Sequence, residues 1–302
     1  VTAMSVSAII ESETSADDAE IGASLDKGIS YLVKELPQVR RAAADAIYNV
    51  WTHGYGIKAL ADVYHHTSDE ELKAKIPQLI NGQLNRLERY ASIDGGWGYY
   101  DFRARTAVPS SSSMSFTTAT ILAAIKSAED IPGLELSDKM IERALDSIQR
   151  QRKGDQTYFY GEYLWSRPMR GINRTAGSLG RTQACSYALR VWGDETVTDE
   201  VLIEWLEKLE SRQGWLDMGR KRPIPHEAWA GVAGYFYYYG HYYAAQCVTL
   251  LPEELSSEPK TMLTKLMLDR QESDGSWWDF PFYSYHQTYG TAYAVMTLVR
   301  CR

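Results

Sequence analysis

The chain has 302 residues, 44% of them apolar, enough to bury a sizeable core. Its net charge is −7 and its sequence pI about 5.5, and Lys and Arg are massed on no segment, which argues against a nucleic-acid partner. No apolar run reaches the ~18 residues of a membrane span, and three cysteines without Cys-x-x-Cys spacing, Cys185, Cys247 and Cys301, argue against a disulfide framework or a structural zinc.

Residues 1–21 are small and polar and read as an N-terminal tail. Val1 opens the visible chain without a basic n-region or an apolar h-region, so no signal peptide is present in it, and one removed before Val1 is compatible with this. From residue 22 onward the chain repeats with a period near sixty. An outer helix ends in a loop carrying an acid, glycines and aromatics, and a second helix rich in small residues follows. The first copy is the weakest: Lys27–Leu36, then a helix over 50–64. His65–Leu72 reads as a helix exit followed by an N-cap at Thr67 or Ser68 and an acidic first turn. The second copy runs from Leu87 to Phe102 and then from Ser115, predicting a helix over 115–126. The third is degenerate, Ile148–Tyr163 and then a helix over 182–192. The fourth is Leu209–Asp217, followed by a helix over 227–250 whose stretch Gly234–Gln246, "GYFYYYGHYYAAQ", has aromatic rings on nearly every side. The last is Gln271–Trp278 and a helix over 289–300.

Alternating β-branched runs are absent, and Ala, Leu, Glu and Arg fill i, i+3, i+4 patterns. The expected fold class is therefore all-α. Helix pairs repeated at this length stack to share a core, as an open solenoid or a closed ring. The glycines and alanines inside the second helix of each pair favour the ring, an α/α toroid of about five helix pairs in one domain over 22–302. A glycine inside a helix costs roughly 1 kcal/mol against alanine, so several together imply close helix approach, and a helix without a polar face is buried on all sides.

The pattern Gln271-x-x-x-Gly275-x-Trp277, its counterpart Asp94–Gly98 and the Thr-Ala pairs Thr118–Ala119 and Thr291–Ala292 resemble the Gln-Trp repeat of squalene and oxidosqualene cyclases and of protein prenyltransferase β subunits. The resemblance covers residues 22–302 and implies a toroid with a central cavity for an apolar, isoprenoid-like ligand. It does not extend to the chemistry. The positions that match the cyclase acid hold Met114, Ser115, Phe116 and Thr117, or Gln287, Thr288, Tyr289 and Gly290. Of the prenyltransferase zinc ligands only Cys185 matches, with Gln183 and Gly290 at the others, so neither a metal nor another cofactor is expected.

The candidate acid–base residues are Asp217, His226, Glu227 and Asp279. The dense polar loop Gly214–Trp229 supplies the first three, stiffened by Pro223 and Pro225. Candidate ligand-binding residues are Trp97, Tyr100, Asp101, Glu162, Trp215, His241, Trp278, Tyr285 and His286. In a ring of helix pairs the outer-to-inner turns fall on one face, and these loops are expected to converge there. The carboxylates have a bland reading beside the functional one, as helix caps or as partners of Arg103, Arg105, Arg167 and Arg220. Three functions stay open: an isoprenoid-like small molecule in the cavity, a saccharide bound or degraded there, favoured by 21 Tyr and 9 Trp against 6 Phe, and a non-catalytic scaffold for a protein or peptide.

Overall fold

The computed structural model describes residues 1–14, 18–39, 49–99, 112–226, 231–281 and 285–302. Among these the chain is all-α. The helices are α1 (Thr2–Ser12), α2 (Ala19–Glu35), α3 (Asn49–His66), α4 (Glu70–Tyr90), α5 (Ser115–Lys126), α6 (Asp138–Gln151), α7 (Thr175–Val191), α8 (Asp199–Asp217), α9 (Phe236–Val248), α10 (Glu253–Leu268) and α11 (His286–Arg300). No described helix is long and apolar enough to cross a membrane. The chain divides into two compact units, residues 2–150 and residues 151–302.

In the first unit α3 packs on α1, α4 and α5, and in the second α9 packs on α7 and α11, with α8 and α10 alongside. Each unit alternates two kinds of helix. α4 is buried along one stripe, Ile76, Ile80, Gln83, Leu84 and Leu87, the 3.6-residue spacing of an amphipathic helix. α5 is buried from Ser115 to Leu122 without a break, and α9 from Phe236 to Ala245. Along most of the aromatic stretch the rings are core: Tyr237, Tyr238, Tyr239, Tyr242 and Tyr243 are all buried. Close approach requires small residues where such helices cross. A Cβ on Gly240 of α9 would lie 2.6 Å from the Cα of Gly180 on α7.

The sequence repeat corresponds to one recurrent local structure. In three copies the first residue of the turn donates its N–H to the carbonyl four residues on, and the residue three on donates back. The pairs are Ser92 with Gly96 and Gly95, Glu272 with Ser276 and Gly275, and Lys153 with Thr157 and Gln156. The residue three on has positive φ each time, +92° at Gly95, +84° at Gly275 and +61° at Gln156, a conformation glycine adopts without steric cost. The next aromatic, Trp97, Trp277 or Tyr158, then donates its backbone N–H to a hydroxyl on the following helix, that of Thr118, Thr291 or Ser178. Both tryptophans also send the indole N–H 2.8 Å back to the outer helix, to the Leu87 and Met267 carbonyls. The Thr hydroxyl of each Thr-Ala pair thus accepts a backbone N–H of the turn.

The fourth copy departs from this. α8 runs through Gly214 to Asp217, and Trp215 is a half-buried helical residue with the Arg212 guanidinium 5.4 Å from its ring. Trp97→Phe is expected to cost on the order of 2 kcal/mol, since it orphans the buried Leu87 carbonyl. Trp215→Phe should cost less than about 0.5 kcal/mol. Urea midpoints of the two variants check the contrast.

Three further differences have local causes. Thr2–Ser12, expected as tail, is a helix with Ala3, Met4, Val6, Ser7 and Ala8 buried, tied to α3 by Glu11 and Lys58 at 2.6 Å. Its side chains are short because it packs closely, not because it is solvated. The N-cap of α4 is Asp69, accepting from Glu71 and Leu72, while Thr67 accepts from Asp69 itself. The helix expected over 227–250 begins at Phe236. Gly231 has φ +68°, and 231–235 is an irregular approach to it.

Candidate functional site

In the second unit the segment after the degenerate repeat and the approaches to α9 and α11 bring titratable and aromatic groups together. Tyr160 follows the turn of the third copy. Its N–H donates to Asn173 Oδ1 at 3.1 Å, and Asn173 Nδ2 donates to the Arg167 carbonyl at 3.1 Å, folding 160–173 into a compact loop. Arg181 of α7 is buried beneath it. Its guanidinium donates to the Tyr158, Gly177 and Ile172 carbonyls and lies 5.6 Å from the Tyr160 ring.

His226 is exposed and held at φ +61°, a left-handed backbone that a non-glycine residue adopts at a cost. Its Nδ1 lies 2.7 Å from the Gly231 carbonyl. A carbonyl only accepts, so the proton sits on Nδ1 and leaves Nε2 as an acceptor. The Tyr235 hydroxyl donates to that Nε2 at 3.0 Å, and the Tyr160 hydroxyl stands 3.3 Å from the Tyr235 oxygen. Tyr289 fixes Tyr235 by donating to its carbonyl at 3.0 Å. The rings of Phe236 and Phe280 flank Tyr235 at 4.8 Å and 5.6 Å between centroids, and the Tyr160 ring meets His226 edge-on at 5.4 Å. Crowding by these groups lowers the His226 pKa below its ordinary value. The hydrogen bond to Gly231 works against that shift, and Arg181 adds to it. The imidazole is therefore neutral near pH 7 and able to take a proton from Tyr235.

The other candidates have diverse surroundings. Asp217 ends α8 in an ion pair with Arg220 at 2.6 Å and a longer one with Arg270 at 3.4 Å. Burial works to raise its pKa, but the two arginines, Arg220 foremost, hold it below the usual carboxylate range. Asp279 is fully buried and caps α9 from a distance, accepting the Tyr238 N–H on Oδ2 at 3.0 Å, while its Oδ1 has no partner. Burial raises its pKa to about 7, against the pull of the Tyr238 N–H and Arg220. His241 is fully buried, donating from Nδ1 to the Tyr237 carbonyl at 2.7 Å with Nε2 unpartnered, and burial pushes its pKa down to about 4.

Trp278 lies under the Lys221 ammonium at 4.5 Å and against His286 at 5.0 Å, with Lys221 also paired to Glu272 at 2.7 Å. Glu162 is buried and opens the 3₁₀ turn Glu162–Leu164. Tyr285 is half-buried at the N-cap of α11, Trp215 lies on α8 as described, and Trp97 is a buried turn residue of the first unit. Tyr100, Asp101 and Glu227 lie outside the described residues.

Tyr235 thus links two neighbourhoods, His226 with Tyr160 on one side and, through Phe280, the Asp279 turn on the other. Spacing in the sequence does not mark Tyr160 and Tyr235 as a pair.

Among the described residues no three His, Cys, Asp or Glu side chains form a metal-binding cluster. Cys185 is buried, Gln183 donates to the Trp205 carbonyl at 2.9 Å, and Gly290 backs onto the Trp277 carbonyl. A groove of about 560 Å³ along α10, with Ser256, Lys260, Thr264, Leu268 and Cys301 in its lining, has no aromatic wall and shares no residue with the Tyr160, Tyr235 and His226 group.

No protein-family model matches the chain, and no curated protein sequence matches it. Its structure is similar to that of a GH76 α-mannanase of Bacteroides thetaiotaomicron, with 11% identity, a TM-score of 0.58, and coverage of 99% of this chain and 85% of that one. It is also similar to a protein of Klebsiella pneumoniae described as a possible member of the GH105 family, at 10% identity and TM-score 0.55 over 99% and 80% of the two chains. An α-amylase of Clostridium perfringens gives 11% identity and TM-score 0.52 over 99% and 85%. These neighbours correct the expected kinship with terpene cyclases and prenyltransferases, and with it the isoprenoid-like ligand. The Gln-Trp-like motif reports a hydrogen-bonded turn between two helices, which unrelated helix-pair proteins can share. The chain is an all-α protein with the α/α-toroid fold of such glycoside hydrolases.

Proposed function

We propose that this protein binds and cleaves a saccharide at the group formed by Tyr160, His226, Tyr235, Phe236 and Phe280. The observation that carries this reading is the hydrogen-bonded series from Tyr160 through Tyr235 to a neutral His226, set among aromatic rings and accessible at His226. Aromatic rings with polar tips suit sugars, whose faces are apolar and whose edges carry hydroxyls. His226 Nε2 takes up the Tyr235 phenol proton as the phenolate oxygen accepts one from a water molecule. The water oxygen bonds to the anomeric carbon, the glycosidic C–O bond breaks, and the leaving oxygen takes a proton from solvent. An acid–base pair of this kind is worth roughly 10²- to 10⁴-fold in rate. Two structural neighbours, an α-mannanase and an α-amylase, support the substrate class.

The test is cleavage of a panel of neutral and acidic polysaccharides, followed as new reducing ends and as ultraviolet absorbance of unsaturated products. On a cleaved substrate Tyr235→Phe is expected to lower kcat roughly 10²-fold or more with KM little changed. Cleavage by the parent should decline as pH falls through the lowered His226 pKa, because protonation removes the acceptor nitrogen. Parental kcat in both Tyr235→Phe and His226→Ala would refute the acid–base assignment. Absence of binding to every saccharide in the panel would refute the substrate class.

A further inference from the structure

We infer that the saccharide is an acidic one, its carboxylate or sulfate groups held by Arg167, Arg170 and Arg174 on the loop beside Tyr160. This rests on the saccharide reading and specifies the substrate within it. The first observation is in the sequence. In a chain of net charge −7, the 31 residues from Tyr163 to Gly193 contain five arginines and no Asp or Glu. Arginine is not massed there; what is unusual is that acids are missing. Arg190 is paired with Asp199, and Arg181 is buried. The other three are exposed, and among the described residues none of their guanidinium groups meets a carboxylate. Arg174 Nε donates to the Met169 carbonyl at 2.9 Å, which steadies the side chain.

The second observation is where this loop sits. Asn173, between Arg170 and Arg174, accepts the Tyr160 N–H. Ile172 backs so closely onto Gly231 that a Cβ there would lie 3.2 Å from its backbone nitrogen, and Gly231 is the residue that holds His226. The arginine loop and the acid–base pair are therefore built onto the same few backbone atoms.

The third observation is the company the arginines keep. Tyr163, Trp165 and Met169 are 54%, 45% and 68% exposed on the same loop. Large apolar side chains left out of the core beside exposed guanidinium groups mark an interaction surface. Rings that stack on sugar faces, with planar forks that take carboxylate or sulfate in bidentate fashion, fit a polymer of acidic sugars. A neutral glycan would leave the three charges without a role.

Calorimetric titration of the whole chain tests this, using oligogalacturonate, a sulfated dextran oligosaccharide, neutral dextran and mannan oligosaccharides of equal length, and vesicles of anionic phospholipid. One of the acidic oligosaccharides should bind roughly tenfold or more tightly than the neutral ones. That preference should shrink as salt rises from about 20 to about 200 mM and vanish in the triple variant Arg167→Ala, Arg170→Ala, Arg174→Ala with an unchanged far-ultraviolet circular dichroism spectrum. The arm that binds identifies carboxylate or sulfate. Equal binding of neutral and acidic oligosaccharides, unaffected by the triple variant, overturns the inference and leaves the saccharide reading standing. Binding to no oligosaccharide of either charge overturns both, and vesicle binding lost in the triple variant would then assign the loop to a membrane surface. Loss of secondary structure in the triple variant would be met with Arg167→Ala, Arg170→Ala alone, whose side chains make no described hydrogen bond.

Discussion

Gly290→Ala is expected to destabilise the second unit by about 3 kcal/mol or more. Gly290 lies in the first turns of α11, and a Cβ there would stand 2.3 Å from the Trp277 carbonyl oxygen and 2.8 Å from the Trp278 Cα. Both are backbone atoms of the repeat turn, held by the Trp277 N–H to Thr291 and by the indole bond to Met267. No side chain can swing aside, so the turn or the helix must move. Gly82, inside α4, is the control, since a Cβ there meets nothing within 4 Å. Gly82→Ala should stabilise by roughly 0.5 to 1 kcal/mol through lost unfolded-chain entropy. Urea denaturation of both variants, followed by circular dichroism, gives the two shifts, and a Gly290→Ala midpoint at or above the parental one would show that the contact yields. The same geometry explains why the position matching the prenyltransferase histidine holds glycine: at this helix approach nothing larger fits.

Stability is expected to rise with pH between about 4.5 and 6.5, and Asp279→Asn should make the rise about twice as steep. His53 and His241 are the source. Both are buried with pKa values pushed down to about 4, chiefly by burial; His53 gains partial relief from its hydrogen bond to Gln83 and His241 from its bond to Tyr237. Above pH ~6.5 both rings are neutral, folded or unfolded. As pH falls below that, the unfolded chain takes up protons that the fold refuses. Each ring then lowers stability by about 1.4 kcal/mol per pH unit, on the order of 3 kcal/mol by pH 4.

Asp279 acts in the opposite sense. Its folded pKa is raised to about 7, so as pH rises from ~4 the unfolded chain loses a proton that the fold retains, and stability falls. Two histidines against one aspartate leave the net slope of one group. Asparagine at 279 still accepts the Tyr238 N–H and removes the opposing titration, leaving two. His226, whose pKa is also lowered, adds the same increment to both slopes and brings their ratio somewhat below two. Stability from urea denaturation at several pH values measures the slopes. An unchanged slope in Asp279→Asn would mean that Asp279 is ionised throughout.

The sequence by itself determined the helical class, the core role of the aromatic helix, the boundaries Ser115–Lys126 and the repeat turns at Trp97 and Trp277. The helix pattern and the repeat turns are set by neighbours within about twenty residues, and the aromatic helix is legible as core because it has no polar face. Periodicity, a positive-φ glycine and a hydroxyl waiting on the next helix are local requirements, so they leave a local trace. The helix Thr2–Ser12 left none, because small residues read alike whether they are solvated or pressed against α3. Nor did Trp215, where the motif is present but α8 continues through it.

Only the tertiary structure decided which side chains meet. Tyr160 and Tyr235 are 75 residues apart and joined at 3.3 Å. Asp279, which the sequence places among loop aromatics, is sealed at the start of α9. His241 faces no solvent and keeps an unpartnered nitrogen. The proton position on His226 follows from the carbonyl of Gly231, five residues on, with both residues at positive φ. Burial and hydrogen-bond partners, not residue type, determine whether an acid or an imidazole is charged. In a helix-pair array those depend on contacts between copies of the repeat, which a pattern within one copy does not encode.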